Sequence, residues 1–232
     1  MTYPDYHFTE GEIILIDKPS DWTSFDVVNK IKFALKKNYG TVKIGHAGTL
    51  DPKATGLLIL CTGKKTKDIQ QIQDAEKEYT GTFFLGGTTE CYDSEKPVNQ
   101  TFDISQILHE AILKCAESFV GVQEQFPPIH SAVKIDGKRA YSLARQGKEV
   151  AIRPKQITIR TFEITGIELP LIHFRVECTK GTYIRSLAHD FGKRLNNGAY
   201  LFALRRTKIG TYSVDDALKL EDFVQSLPPV QP

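Results

Sequence analysis

The chain has 232 residues, 41% hydrophobic and 25% charged, a globular balance whose net charge of +2 does not by itself announce a nucleic-acid partner. No stretch approaches the run of about 20 apolar residues that spans a membrane, and Met1 to His7 lacks the segments of a secretory signal, so a cytoplasmic protein is expected. Cys61, Cys91, Cys115 and Cys178 form no C-x-x-C pair and read as reduced, mostly buried thiols; the absence of H-E-x-x-H, and of H-x-E with P-C-x-x-C, excludes the common zinc hydrolase and zinc deaminase patterns.

In chain order, Glu12 to Asp17 is a short apolar run ending at Lys18-Pro19 and reads as a buried strand. Thr23 is a candidate N-cap for a helix to about Lys37, with Phe25, Val28, Ile31 and Leu35 on one face. Gly45 to Gly56, G-H-A-G-T-L-D-P-K-A-T-G, is too rich in turn residues for regular structure. Leu57 to Cys61 reads as a strand, Lys65 to Asp74 as a helix, and Tyr79 to Leu85 as a strand stopped by Gly86-Gly87. A helix is expected over Ile104 to Phe119. Gln125 to Gly147, with Pro127-Pro128 and Asp136-Gly137, reads as an excursion holding a hairpin and a short helix. Gln156 to Ile164 and Leu171 to Cys178 are expected strands. In the second, Ile172, Phe174, Val176 and Cys178 point inward against His173, Arg175 and Glu177. Thr182 is expected to cap a helix to about Leu195, Ala199 to Ile209 to form a strand, and Asp215 to Leu227 a closing helix. There is no repeat and no low-complexity linker. The mixture lacks a βαβ rhythm, which argues for one α+β domain with a mixed, largely antiparallel central sheet flanked by helices and loops.

Chemistry concentrates between Gly45 and Gly63, where glycines and a proline surround one carboxylate, Asp51. Such a loop lets backbone approach a ligand and holds the aspartate off regular structure. Locally it also reads as a simple Asp-Pro turn. A phosphate loop fails: the pattern needs glycine where Leu58 stands and Ser or Thr where Lys65 stands. Three basic clusters, Lys64-Lys65-Lys67, Lys134-Lys138-Arg139 and Arg205-Arg206-Lys208, read either as solvated faces or as phosphate contacts.

The run G-H-A-G-T-L-D-P-K-A-T-G-L-L-I-L-C-T-G-K-K-T-K closely resembles the signature of the TruB family of tRNA pseudouridine synthases. Further segments resemble that family in order and spacing: I-D-K-P at Ile16 to Pro19, K-E-Y at Lys77 to Tyr79, Pro127 to Gly147, K-G-T-Y-I-R-S-L-A-H-D at Lys180 to Asp190, and L-R-R at Leu204 to Arg206. The resemblance implies the pseudouridine synthase fold and isomerisation of a uridine in the T loop of tRNA, at position 55. It implies Asp51 as nucleophile, Tyr79 against the uracil with a part in removing the C5 proton, and Arg185 as ion-pair partner of the aspartate. It also implies that Tyr183 and Leu204 line the uracil pocket. His46 would help hold the target nucleotide out of the stack, and Lys134 would contact RNA phosphate from an insertion at about 125–150.

The chemistry fits such residues. Pseudouridine formation breaks the N1–C1′ bond, turns the uracil and rejoins it through C5, with no net redox change, so no cofactor and no metal is expected. It needs a nucleophile or charge stabiliser, which one ionised carboxylate supplies. Burial pushes a carboxylate toward its neutral form and a nearby cation opposes this. A flipped base is held by aromatic faces. The implied partner is the T stem-loop of tRNA, with no membrane and no obligatory protein partner. Most members of the family carry a C-terminal PUA module for which a chain ending at Pro232 is expected to leave no room, and His130 stands where tyrosine is common in P-P-x-Y-S-A. The rival readings are a non-catalytic RNA-binding protein or tRNA folding chaperone, and a nucleotide-dependent enzyme already weakened by the failed phosphate loop.

Overall fold

A computed structural model describes residues 6–128 and 153–228, with the backbone of 134–135 and 138–139. In chain order the elements are β1 (Ile13–Lys18), α1 (Ser24–Tyr39), β2 (Ile44–His46), β3 (Thr55–Thr62), a 3-10 turn (Gly63–Lys67), α2 (Ile69–Asp74), β4 (Lys77–Leu85), β5 (Gly87–Thr89), β6 (Val98–Thr101), α3 (His109–Glu117) and β7 (Gly121–Gln125). There follow β8 (Lys134–Ile135), β9 (Lys138–Arg139), β10 (Lys155–Glu168), β11 (Leu171–Cys178), α4 (Ile184–Arg194) and β12 (Ala199–Ile209). The chain closes with β13 (Tyr212–Ser213), a 3-10 turn (Val214–Asp216), β14 (Leu218–Lys219) and α5 (Leu220–Gln225). This is the expected α+β class with a mixed, mostly antiparallel sheet.

The chain folds into two compact units, residues 1–79 with 205–232, and residues 80–204. In the first, the strand order is β14-β1-β3-β12, with β2 also on β3 and β13 on β12. The β1–β14 and β3–β12 pairs are parallel and the β1–β3 and β2–β3 pairs antiparallel. Strand β3 is buried on both faces, which explains its unbroken apolar run. Leu58 and Leu60 pack against Val27, Val28, Ile31 and Leu35 of α1, and Leu57, Ile59 and Cys61 against Ile72 and Ile209. The buried stripe of α1 therefore runs through Val27 in place of Phe25, which is 66% exposed. The reason is phase: Val27 and Val28 straddle the seam that Ile31 and Leu35 continue, and Phe25 lies well off it.

In the second unit the order is β12-β4-β11-β10-β7, with β5 and β6 forming a separate ribbon. Phe83, Phe162, Phe174, Phe191 and Phe119 make its aromatic core, with Phe83 and Phe174 centroids 4.2 Å apart. The inward alternation of β11 is as read, Ile172, Phe174, Val176 and Cys178 being at most 1% exposed.

Several boundaries differ from expectation. The helix expected over Ile104 to Phe119 begins only at His109, because Asp103 accepts from Ser105 N at 2.9 Å and turns the chain before the helix can start. Thr182 does not cap α4: its hydroxyl donates to Thr179 O at 2.9 Å, and Tyr183 is the N-cap position. The closing helix shrinks to α5, because Ser213 caps a 3-10 turn at Val214 and β14 then extends beside β1. The Lys65–Asp74 helix divides into a 3-10 turn and α2. Strands β8 and β9 form the hairpin read around Asp136-Gly137. The short helix read after it, like His130, lies outside the described residues.

Candidate active site

The irregular stretch between β2 and β3 is shorter than its glycine content suggests, running over 47–54. Within it lies Asp51, partly buried, whose carbonyl accepts from Ala54 N at 3.1 Å. The segment is fastened to α1 by Ser24, which is 2% exposed: its hydroxyl accepts from Leu50 N at 2.9 Å and donates to Leu50 O at 3.1 Å. On the other flank, Pro52 O accepts from Asp21 N at 2.9 Å and from the Lys18 ammonium at 3.1 Å. Lys18 ends β1 with no exposed surface and donates also to the Pro19 and Trp22 carbonyls, at 2.8 and 2.7 Å. Burial pushes its pKa down to about 8. The carboxylates of Asp21, Asp51 and Asp26 oppose that and the Arg206 charge adds to it. The lysine of I-D-K-P is therefore a buried cation in the field of Asp51.

Arg206 is the second buried cation, 2% exposed on β12. Its Nε donates to Leu57 O at 2.8 Å, Nη2 to Gly48 O at 3.1 Å and Nη1 to Thr49 O at 3.5 Å, and the Tyr79 side chain is a further hydrogen-bond partner. Burial lowers its pKa and Tyr79 opposes the shift. Gly56 makes this seat possible: at φ +97°, a Cβ there would come within 2.3 Å of Arg206 O. This glycine permits contact between β3 and β12 backbones. His46 is in β2, opposite Leu60, and not in a loop. Burial lowers its pKa, a hydrogen bond with the Gly48 backbone opposes this, and the Arg206 charge reinforces it.

Of the Arg205-Arg206-Lys208 cluster, Arg206 is buried and so is no surface phosphate contact. Arg205 grips Asp17 through two bonds of 2.9 and 2.7 Å, and Lys208 reaches Glu78 at 3.5 Å. Glu78, 7% exposed, also accepts from Thr207 Oγ1 at 2.7 Å, which fixes the start of β4 beside Tyr79.

The second unit carries Tyr183, Arg185 and Leu204. Arg185 lies in the first turn of α4, 7% exposed, where the helix dipole disfavours a cation. Asp93 answers it at 3.4 Å, both side chains 8% exposed, and Cys91 O accepts from Arg185 at 3.4 Å. Asp93 is itself held, accepting from Glu95 N and Cys91 Sγ at 2.9 Å each. Gln125 pins Tyr183 by two bonds: Tyr183 N donates to Oε1 at 2.7 Å and Nε2 donates to Tyr183 O at 3.0 Å. Leu204 is partly buried in β12. Lys134 pairs with Arg139 in the β8–β9 hairpin, where only the backbone is described.

The structure thus places His46, Asp51 and Tyr79 in one unit, linked through Arg206 and Lys18, and Tyr183, Arg185 and Leu204 in the other. Sequence reading gave no role to Lys18, Asp93 or Gln125, and it read Arg206 only as part of a basic cluster and of the L-R-R segment, not as a buried cation. Lys18 had a usable signal, a cation closing an apolar run in front of proline. Nothing local marked Arg206 for burial, because its acceptors Leu57 and Gly48 are 149 and 158 residues away in the chain. Among the described residues no group of His, Cys, Asp and Glu could hold a metal ion, and no helix is long and apolar enough to cross a membrane.

Comparison with known proteins follows the same lines. The family model described as TruB family pseudouridylate synthase, N-terminal domain, matches residues 36–184, and that of the tRNA pseudouridylate synthase B C-terminal domain matches 185–228. A protein named tRNA pseudouridine synthase B from Flavobacterium johnsoniae is 52% identical over 98% of this chain and 100% of its own length. Its namesake from Chlorobaculum tepidum is 50% identical over 94% of this chain and 91% of its own. Among solved structures, a chain of a Cbf5-Nop10-Gar1 complex superposes with a TM-score of 0.73 at 33% identity, over 94% of this chain. A chain of an H/ACA RNP bound to a substrate RNA containing 2′-deoxyuridine superposes with a TM-score of 0.69 at 30% identity. This chain spans 55% and 54% of those two.

Proposed function

The chain belongs to the TruB family, whose members turn uridine into pseudouridine in tRNA, and from that premise we propose that Asp51 is the nucleophile of the reaction, acting on a uridine of the T loop, position 55. The observation that carries this reading is the way the fold treats the loop. Two buried cations, Lys18 and Arg206, hold its flanks through the carbonyls of Gly48, Thr49 and Pro52, and Arg206 joins the same loop to Tyr79. Fixing a carboxylate and a phenol in one geometry before substrate arrives is what a positioned nucleophile and proton carrier require. A loop whose only task was to turn the chain would not need it.

In this reading the target nucleotide leaves the stack, with His46 helping to hold it out, and its uracil lies against Tyr79 and Tyr183 beside the backbone of Leu204. The Asp51 carboxylate attacks the nucleotide, the N1–C1′ bond breaks, the uracil turns, C5 bonds to C1′, and the bond to Asp51 breaks so that the carboxylate is released. The C5 proton leaves through Tyr79 and N1 regains one, so atoms and charge balance without a cofactor. Arg185 serves as the cation for Asp51, with Asp93 and Cys91 O holding its guanidinium. Lys134 contacts RNA phosphate.

The test is an unmodified tRNA transcript incubated without ATP or metal, with pseudouridine mapped along the chain. Wild type is expected to modify the T-loop uridine. Asp51→Asn is expected to make none while binding tRNA as wild type does, and Arg185→Ala to lose most turnover with binding retained. Product from Asp51→Asn at the wild-type rate would remove the nucleophile assignment. No product from any form, with tight binding, would favour an RNA chaperone.

A further inference from the structure

The exposed side of α1 has no part in the site described above. It displays Phe25 and Phe33, each 66% exposed and roughly 80° apart around the helix, with Lys30, Lys32, Lys36 and Lys37 around them. Single exposed aromatics are common and need no explanation. Here two are set eight residues apart, about 12 Å along the helix at 1.5 Å per residue, and interleaved with cations. Lys37 Nζ stands 5.4 Å from the Phe33 ring centre. The acid among the exposed residues of α1, Asp26, is spent on the capping box, where its carboxylate accepts from Thr23 N at 2.9 Å and Thr23 Oγ1 at 2.6 Å. Among the described residues the face therefore presents lysines with no paired carboxylate together with solvent-exposed rings.

We propose that this face of α1 is a docking surface for single-stranded or loop RNA, with Phe25 and Phe33 stacking on bases and the lysines meeting phosphates. Alternation of aromatic rings and cations is how unpaired nucleic acid is held without regard to sequence. The location fits. Ser24, next to Phe25, bonds both backbone groups of Leu50, the residue before Asp51, so the first turn of α1 borders the aspartate loop within one unit. RNA threaded to Asp51 would pass Phe25. A second copy of the chain is the competing occupant, but facing two such surfaces would bring lysines against lysines, whereas a polyanion complements them. The proposal rests on tRNA being the substrate, and it adds a grip on that RNA outside the residues assigned to the reaction.

The experiment measures binding of unmodified tRNA transcript to the full chain carrying Asp51→Asn, across salt from about 50 to 200 mM. The pair Phe25→Ser with Phe33→Ser is expected to raise Kd at least about tenfold with the salt slope unmoved. The pair Lys32→Gln with Lys36→Gln is expected to raise Kd and to flatten the slope of log K against log salt by about 1.4 to 1.8, two phosphate contacts. Arginines in place of the two lysines restore both. With Asp51 intact, turnover at saturating tRNA is expected to stay at wild type in each pair. Kd and slope within twofold of the parent in both pairs overturn the proposal. So does a wild-type dimer that the phenylalanine pair makes monomeric while tRNA affinity holds. Since binding is read without turnover, a failure of the catalytic assignment registers separately, as absent product from wild type.

Discussion

At the scale of single residues, the fold buries positive charge beside the aspartate loop, with the carboxylates of Asp21, Asp51 and Asp26 acting on Lys18 through space. Lys18 and Arg206 are both buried, and their hydrogen bonds run to backbone carbonyls and, for Arg206, to Tyr79. Taking an ion out of water costs several kcal/mol even after relaxation, and the carbonyl dipoles of Leu57, Gly48, Thr49 and Pro52 offset only part of it. The field of these cations at the Asp51 loop is the return on that cost. Arg206→Lys tests whether geometry matters beyond charge. Lysine keeps the cation but not the planar fork that reaches Leu57, Gly48 and Thr49 together. Its single-turnover rate is expected to fall at least about tenfold, about 1.4 kcal/mol in the barrier, with tRNA affinity unchanged. A rate equal to wild type would show that the charge alone suffices.

Individual elements matter here chiefly for how they start. Helix α1 begins with a reciprocal cap: Asp26 N donates to Thr23 Oγ1 at 3.0 Å while the Asp26 carboxylate accepts from Thr23 N at 2.9 Å. The next residue, Ser24, is the one that holds Leu50. Fraying the first turn should therefore be felt at Asp51. Thr23→Ala is expected to cost about 0.5–2 kcal/mol in urea unfolding and to slow turnover more than a cap of equal cost elsewhere would. A matched loss of stability with undiminished turnover would separate the cap from the site. Thr23 was readable as an N-cap because its chemistry is local. Thr182 looked the same and is not a cap, since Thr179 O takes its hydroxyl. The helix expected from Ile104 failed likewise, to an Asx turn at Asp103 that competes for the same backbone.

For the molecule as a whole, pH exposes what burial has done. His46 and His189 are held below the ordinary histidine pKa, first by burial, with added repulsion from Arg206 at His46 and from Lys193 at His189. Their folded pKa values lie under the unfolded one, so the unfolded chain binds more protons. The stability they contribute is present above pH about 6.5 and is lost as pH falls through the folded values. Urea midpoints are expected to drop between pH 7.5 and 5.5 by more in wild type than in a His46→Gln, His189→Gln chain. Equal drops would place the acid sensitivity elsewhere. By itself the sequence determined most of the element types, the alternation of β11, the α+β class and the family, and it singled out the loop that carries Asp51, because each rests on local periodicity or on one contiguous run of residues. The tertiary structure alone decided that Arg206 belongs inside and not on a phosphate-binding face, that Asp93 meets Arg185, that Gln125 pins Tyr183, and that Phe25 is left outside the core. Those outcomes depend on which distant backbone carbonyl or side chain shares the buried space, and chain-local pattern carries no information about neighbours that only folding brings within hydrogen-bonding reach.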